Sequence, residues 1–354
     1  MPAVRRVSID VGHPAHVHFF RNLCEILKRE GCEVTIFARG REHTISLLNA
    51  FKMEYVSIGS ASSSMVGKAW RGMQFVFRMR QAMGDRIPDI FLSTGSPYSG
   101  VVSRITNRRH MATLDTEGAV LTILLLARVS DSILTFSGVE APVKGPFVKV
   151  DSYKELAYLH PRYFSPDAAV IRELGLREGE YTVFRIARYE AVHDRHHKGL
   201  ATDLEMLRRL IRQAEKYGRV VLTTEAPLGD EFKKYQIPIP EHMIHHLLAY
   251  ASLYVGEGAT MASEAAVLGV PFIFLSPSHR GYLDDLERTY GMGYTIRERE
   301  DALRKIPEIF ENHQRSEWAA NRRRMLSEKT DITKYFHDHL GEWAGWEEPS
   351  QATL

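Results

Sequence analysis

Four clusters in this 354-residue sequence combine residue types that can hold charge or move a proton. The first is Val255-Gly256-Glu257-Gly258-Ala259-Thr260-Met261, followed by Ser263-Glu264 and closed by Gly269-Val270-Pro271. It reads as strand, glycine-bearing loop, helix, tight turn and apolar strand. A helix that opens this way aims free backbone N–H groups and a positive dipole end at an anion. Glu264 lies just behind that point, where a carboxylate can take the two hydroxyls of a diol. A phosphate beside a ribose satisfies both features. The alternative is tight helix–sheet packing by small residues, with Glu264 merely exposed.

The second cluster is the loop from Arg185 to Leu200, dense in Arg, His and Lys and placed before a helix N-terminus. Cations next to helix N–H groups suit a diphosphate, with Arg188 and Lys198 as its ligands. A solvated polar loop is the competing reading. The third is Gly12-His13-Pro14-Ala15-His16-Val17-His18, at the first strand–helix junction. His13 or His16 can act there as general base or bind a phosphate or sugar hydroxyl. Alternatively one histidine caps the helix. The H-x-x-H-x-H spacing invites a metal, but no Cys or carboxylate joins it, so none is expected. The fourth is Asp115-Thr116-Glu117, at a strand's carboxyl end. Either carboxylate can serve as acid or base, or Asp115 caps a helix whose dipole Glu117 favours.

The elements that must position these clusters alternate. Strands are expected at 6–11, 32–37, 55–58, 88–93, 109–114 and 132–136, with helices between them, including 17–29 and 68–83. Residues 142–179 hold four prolines and no clean period, and read as an interdomain connection. Alternation restarts at 181–187 and ends in a helical, amphipathic tail over 301–343. Strict alternation implies parallel sheets with helices on both faces. The length favours two domains.

Lys and Arg total 46 against 44 Asp and Glu, so no electrostatic case for nucleic acid arises. Cys24 and Cys32 form neither a disulfide framework nor a zinc pattern, which suits a reducing cytoplasm. No G-x-G-x-x-G fingerprint is present, which counts against a dinucleotide oxidoreductase. The apolar run 119–127 is too short to span a bilayer. Residues 60–70, with Met65, Val66 and Trp70, border an acceptor or a membrane, or belong to the core.

Together the clusters resemble a GT-B glycosyltransferase-type chain over nearly the whole length. Gly258-Ala259-Thr260, Ser263-Glu264-Ala265-Ala266 and Leu268-Gly269-Val270-Pro271 resemble the nucleotide-sugar motif of the peptidoglycan lipid-intermediate GlcNAc transferase and of non-hydrolysing UDP-GlcNAc 2-epimerases. The resemblance implies that the glycines and small residues meet a diphosphate and that Glu264 holds ribose hydroxyls. The loop Gly12 to His16 resembles the transferases' first glycine loop, although poorer in glycine. Arg188 with Lys198-Gly199 resembles the Arg…Lys-Gly pair of retaining GT-B transferases, at longer spacing. The overall likeness is to the DUF354 group, in the His-bearing first loop, the HDRHHKG-like loop and the terminal glycine–glutamate motif.

The expected fold is therefore α/β, GT-B, with two Rossmann-like domains whose parallel sheets face a central cleft. Residues 1–160 form the acceptor-side domain, 161–335 the nucleotide-sugar domain and 336–354 a helix or tail. The expected function is metal-independent glycosyl transfer from a nucleotide-diphosphate sugar, without a further cofactor, to a sugar or lipid-linked acceptor. His13, His16, Asp115 and Glu117 serve the reacting centre. Arg188, Lys198, Gly258, Ala259, Thr260, Ser263 and Glu264 bind the donor, and Met243 and Ile244 wall the base. A 2-epimerase-like enzyme and a non-catalytic nucleotide-sugar-binding subunit are the alternatives. The expected location is cytoplasmic, with a peripheral contact at the inner membrane face left open.

Overall fold

The structure is a computed structural model that describes residues 4–40, 42–59, 65–115, 117–187 and 199–346. The chain divides into two compact units, one drawn from 1–158 and 330–354, the other from 159–329. Among the described residues the first unit holds seven strands: β1 (Arg6–Val11), β2 (Glu33–Arg39), β3 (Val56–Gly59), β4 (Ile90–Thr94), β5 (Arg109–Leu114), β6 (Ser132–Thr135) and β7 (Phe147–Lys149). All pair in parallel, in the order β3-β2-β1-β4-β5-β6-β7. The near-continuous burial of β1, β4, β5 and β6, as in Ile90-Phe91-Leu92-Ser93-Thr94, is what a sheet covered on both faces requires.

Right-handed crossovers put the helices after β1 and β2 on one face and those after β3, β4 and β5 on the other. On the first face Phe19 and Phe20, from the helix Pro14–Arg29, meet Phe336 edge-on. Phe336 belongs to the last helix, Ile332–Ala344, so the chain's end returns to the first unit rather than extending the second to residue 335. Thr333 Oγ1 reinforces this by donating to the Ala157 carbonyl at 2.9 Å.

The second unit holds β8 (Tyr181–Ile186), β9 (Arg219–Thr224), β10 (Leu253–Gly256), β11 (Phe272–Leu275) and β12 (Gly293–Ile296). They are parallel, in the order β12-β11-β10-β8-β9. The fold is therefore α/β with two parallel sheets, as the alternation predicts. The proline-rich stretch is more than a connection, because it supplies β7 at the first sheet's edge and the short helices Leu156–Leu159 and Ala168–Glu173. A three-residue strand is too short to show a period. Each sheet has one point where strand order reverses, between β1 and β4 and between β8 and β10. Ligands of such sheets bind at the carboxyl ends of those strands.

Candidate functional site

At the second unit's reversal point, Gly256 ends β10 directly beside Arg185 of β8. A Cβ on Gly256 would lie 2.5 Å from the Arg185 carbonyl oxygen, so the close approach of these strands requires glycine there. The helix Ala259–Leu268 follows, with Gly258 at its N-cap and no side chain capping it. Gly258, Ala259, Thr260 and Met261 are partly exposed, whereas the rest of the helix is buried. The first turn thus presents N–H groups without the capping that most helix starts carry. At the other end Gly269 takes a left-handed conformation (φ +89) and Arg322 Nε donates to the Val267 carbonyl at 2.8 Å. That guanidinium complements the dipole's negative end. Burial pushes its pKa below the ordinary arginine value.

Glu264 lies one turn inside this helix and is 5% exposed. Its Oε1 is 2.9 Å from Nε2 of His245, itself buried. His245 belongs to the short helix Ile244–Ala249, which packs on Ala259–Leu268. Met243 is that helix's N-cap and Ile244 its first residue, so the expected base wall and the expected ribose carboxylate share one structural unit. Ser263 is buried, and its hydroxyl has no hydrogen-bond partner among the described residues. Glu257 plays a different part. Its two carboxylate oxygens accept from Leu200 N at 2.7 Å and Ala187 N at 3.3 Å, with Arg299 at 3.8 Å. It ties together the residues on either side of the cationic loop. Burial pushes its pKa above the ordinary glutamate value, against those backbone bonds and Arg299. Arg188 and Lys198 themselves lie outside the described residues.

In the first unit, the loop after β1 rests on Arg39, because a Cβ on Gly12 would lie 2.6 Å from that guanidinium. Arg39 Nε bonds the fully buried Asp10 at 3.1 Å, and Asp10 also accepts from Ser96 Oγ. Both loop histidines accept backbone hydrogen bonds through Nδ1. His13 takes Ala15 N at 3.2 Å, capping the helix, and His16 takes Gly12 N at 3.3 Å. A neutral imidazole that accepts at Nδ1 carries its proton on Nε2. Burial, set against the Asp115 charge, pushes His16 down to about 3, so its ring is neutral and offers an Nε2–H donor.

Asp115, at the end of β5, is ion-paired with Lys154 Nζ at 2.9 Å. Burial raises its pKa, but Lys154 and then His16 outweigh that and hold it at about 2. Glu117 accepts one long bond, 3.4 Å, from Glu140 N. His13, His16 and Asp115 therefore interact in one cluster that also takes in Arg39 and Lys154. Among the described residues no group of three or more His, Cys, Asp or Glu is placed to hold a metal ion, and no helix is long and apolar enough to cross a membrane.

His245, Lys154, Arg322 and the Arg39–Asp10 pair lie outside the clusters that residue type and spacing single out, and the place of Glu257 within one does not mark it as a loop anchor. Asp10 carried a signal, being a carboxylate inside an apolar strand, which must find a buried partner. Lys154 carried none, because it comes from the stretch without a period.

The family model described as "Protein of unknown function (DUF354)" matches residues 5–338. An uncharacterised protein of Methanocaldococcus jannaschii is 21% identical over 284 residues, 77% of this chain and 82% of its own length. Among solved structures, the S. aureus MnaA–UDP co-structure matches with TM-score 0.70 at 12% identity, covering 99% of this chain and 100% of the other. The M. jannaschii UDP-GlcNAc 2-epimerase in complex with UDP-GlcNAc and UDP matches with TM-score 0.64 at 14% identity, covering 88% and 94%. The spinosyn forosaminyltransferase SpnP matches with TM-score 0.64 at 15% identity, covering 97% and 100%. At these identities the likeness concerns the fold, which is GT-B-like.

Proposed function

We propose that this chain, which belongs to the DUF354 family, is a metal-independent GT-B glycosyltransferase that takes a hexosyl or N-acetylhexosaminyl group from a nucleotide-diphosphate sugar. The observation that carries the reading is Glu264, held by His245 at 2.9 Å behind a helix start that no side chain caps, at the sheet's reversal point. The N–H groups of Gly258, Ala259 and Thr260 stabilise the leaving diphosphate, and Glu264 accepts from the ribose diol. Arg188 and Lys198 add positive charge from the loop whose ends Glu257 holds, in place of a divalent ion.

The first unit takes the acceptor. Asp115, at about 2, is too weak a base to remove a hydroxyl proton and acts as a fixed anion. His16 donates from Nε2, and His13 lines the same loop. Glu117 makes no ion pair among the described residues and is the base that takes the acceptor proton. The test is a thermal-shift panel of UDP- and GDP-sugars, followed by product detection with EDTA present. Absence of any stabilisation by saturating nucleotide sugar sinks the proposal.

A second reading is a UDP-GlcNAc 2-epimerase-like enzyme, favoured by two carboxylates, Asp115 and Glu117, two positions apart in the sequence after β5. A C2-epimerised sugar formed without acceptor selects it. Firm binding with the ligand unchanged after long incubation selects a non-catalytic nucleotide-sugar-binding subunit.

A further inference from the structure

Three consecutive helices of the first unit, Met65–Met83, Pro97–Ile105 and Val120–Val129, lie side by side on one face of the sheet. Seven of the ten large apolar side chains exposed among the described residues belong to them: Trp70, Met73, Phe77, Ile105, Val120, Leu121 and Leu125. Trp70 is 60% exposed, Phe77 67% and Leu121 64%. The first of these helices already has an inner apolar face, where Phe75, Met79 and Met83 pack on Phe37, Ile58, Phe91 and Val102. Trp70, Met73 and Phe77 form a second stripe on the outside, at the spacing of one helix face. Soluble surfaces rarely concentrate apolar side chains in this way without a partner.

Charge identifies the partner. The three helices carry six Lys or Arg and no Asp or Glu, in a chain balanced at 46 to 44. Arg78 and Arg80 are exposed on either side of the outer stripe, and Arg128 is exposed on the last helix. Arg104 is paired with Asp131 at 3.3 Å, beyond the end of that helix. A two-fold contact between copies would set this cationic face against itself. A surface that is apolar at its centre and positive at its flanks complements an anionic interface with an apolar interior.

We propose that this helical face docks the protein on an anionic phospholipid bilayer, with Trp70, Phe77 and Leu121 entering the headgroup–acyl boundary and the arginines meeting lipid phosphates. The three helices begin at the carboxyl end of the sheet, the end that carries His16 and Asp115. Docking thus brings a bilayer to the end of this unit that carries His16 and Asp115, whatever reaction the site performs.

The test is co-sedimentation of the whole protein with phosphatidylcholine vesicles, with and without about a third phosphatidylglycerol. No nucleotide sugar is added, so the outcome is independent of the proposed chemistry. Binding is expected to the anionic vesicles only, and to fall as salt rises. Brominated lipid should quench the fluorescence of the exposed Trp70, since Trp318 is buried, Trp343 packs against Tyr335, Phe336 and His339, and Trp346 is bonded to Asp89. W70S with F77S should abolish the quenching and weaken partitioning at least about tenfold. R80E with R128E, which leaves the apolar stripe intact, should weaken it on the order of fivefold per residue or more. Absence of binding to anionic vesicles overturns the proposal, as does binding that neither variant changes. A dimer in solution that F77S dissociates, without lipid binding, overturns it in favour of a second copy.

Discussion

Replacing Glu264 with Gln tests the diol-binding role with little disturbance of the fold. The carboxylate is buried and bonded to His245 Nε2 at 2.9 Å. Gln keeps the side-chain shape and one oxygen, so the bond from His245 survives. What disappears is the charge and the second acceptor. A hydrogen bond to a charged group contributes about 1.5–3 kcal/mol, and a neutral one about 1 kcal/mol. Losing one ribose bond and weakening the other should cost about 2–4 kcal/mol, or ~30- to ~1,000-fold in Kd. Melting temperature should change little, whereas E264A, which leaves the buried imidazole without its carboxylate, should destabilise by about 1–3 kcal/mol. The assay is calorimetric titration with whichever nucleoside diphosphate the stabilisation panel selects, and with its 2′- and 3′-deoxy analogues. If Glu264 holds the diol, the penalties of E264Q and of the deoxy ligand overlap rather than add. Affinity within about twofold of the parent, or strictly additive penalties, refutes the assignment.

Other sites give sharper structural outcomes. Gly256→Ala should force β8 from β10, because its Cβ would lie 2.5 Å from the Arg185 carbonyl oxygen. A loss of about 1–3 kcal/mol in chemical denaturation is expected, and a parent-like midpoint would contradict the close-approach argument. Lys154→Met removes the main cation that holds Asp115 at about 2. The carboxyl should rise, visible in an NMR titration. Asp115 now stabilises the fold above its ordinary 3.8, and that contribution fades as pH falls through about 2; the variant should lack it. His110, buried between Ser93 Oγ and Ser130 Oγ at 2.9 and 3.0 Å, is pushed by burial from 6.5 to about 3. Below pH 6.5 the unfolded chain takes this proton and the folded one does not, so stability should decline from pH 6.5 toward 3. His16, likewise pushed to about 3, contributes to the same decline, so H110Q should make it shallower by one proton's share, and an unchanged slope would show that His110 does not contribute to it.

The sheets were legible because β1, β4, β10 and β11 are short apolar runs bounded by glycine or proline, separated by helices with a 3.6-residue period. Glu264 was legible for the same reason, since its place follows from counting along one helix. His245, Lys154 and Arg39 were not. Each reaches its partner through a long-range fold contact: His245 to Glu264, Lys154 to Asp115 and Arg39 to Asp10. No local period encodes such pairings. The two loop histidines show the opposite limit. Their types suggested acid–base chemistry, but both Nδ1 atoms are occupied by backbone N–H groups, and that occupancy fixes the tautomer. A residue's chemistry here depends on which of its atoms the backbone has already claimed.

The same rule separates the two glutamates of the terminal motif. Glu257 faces back across β8, and both its oxygens are engaged by the N–H groups of Ala187 and Leu200. Glu264, seven residues on, faces His245. One carboxylate fixes the ends of the loop that carries Arg188 and Lys198, while the other lies behind the uncapped helix start. Arg322 holds that helix from its far end, so the helix is anchored at Val267 while its start stays open. The motif is thus a helix whose far end an arginine bonds and whose start no side chain caps. Glu257 links it to the two ends of the 185–200 stretch, and on the proposed reading that pairing is what would favour a diphosphate over a lone carboxylate.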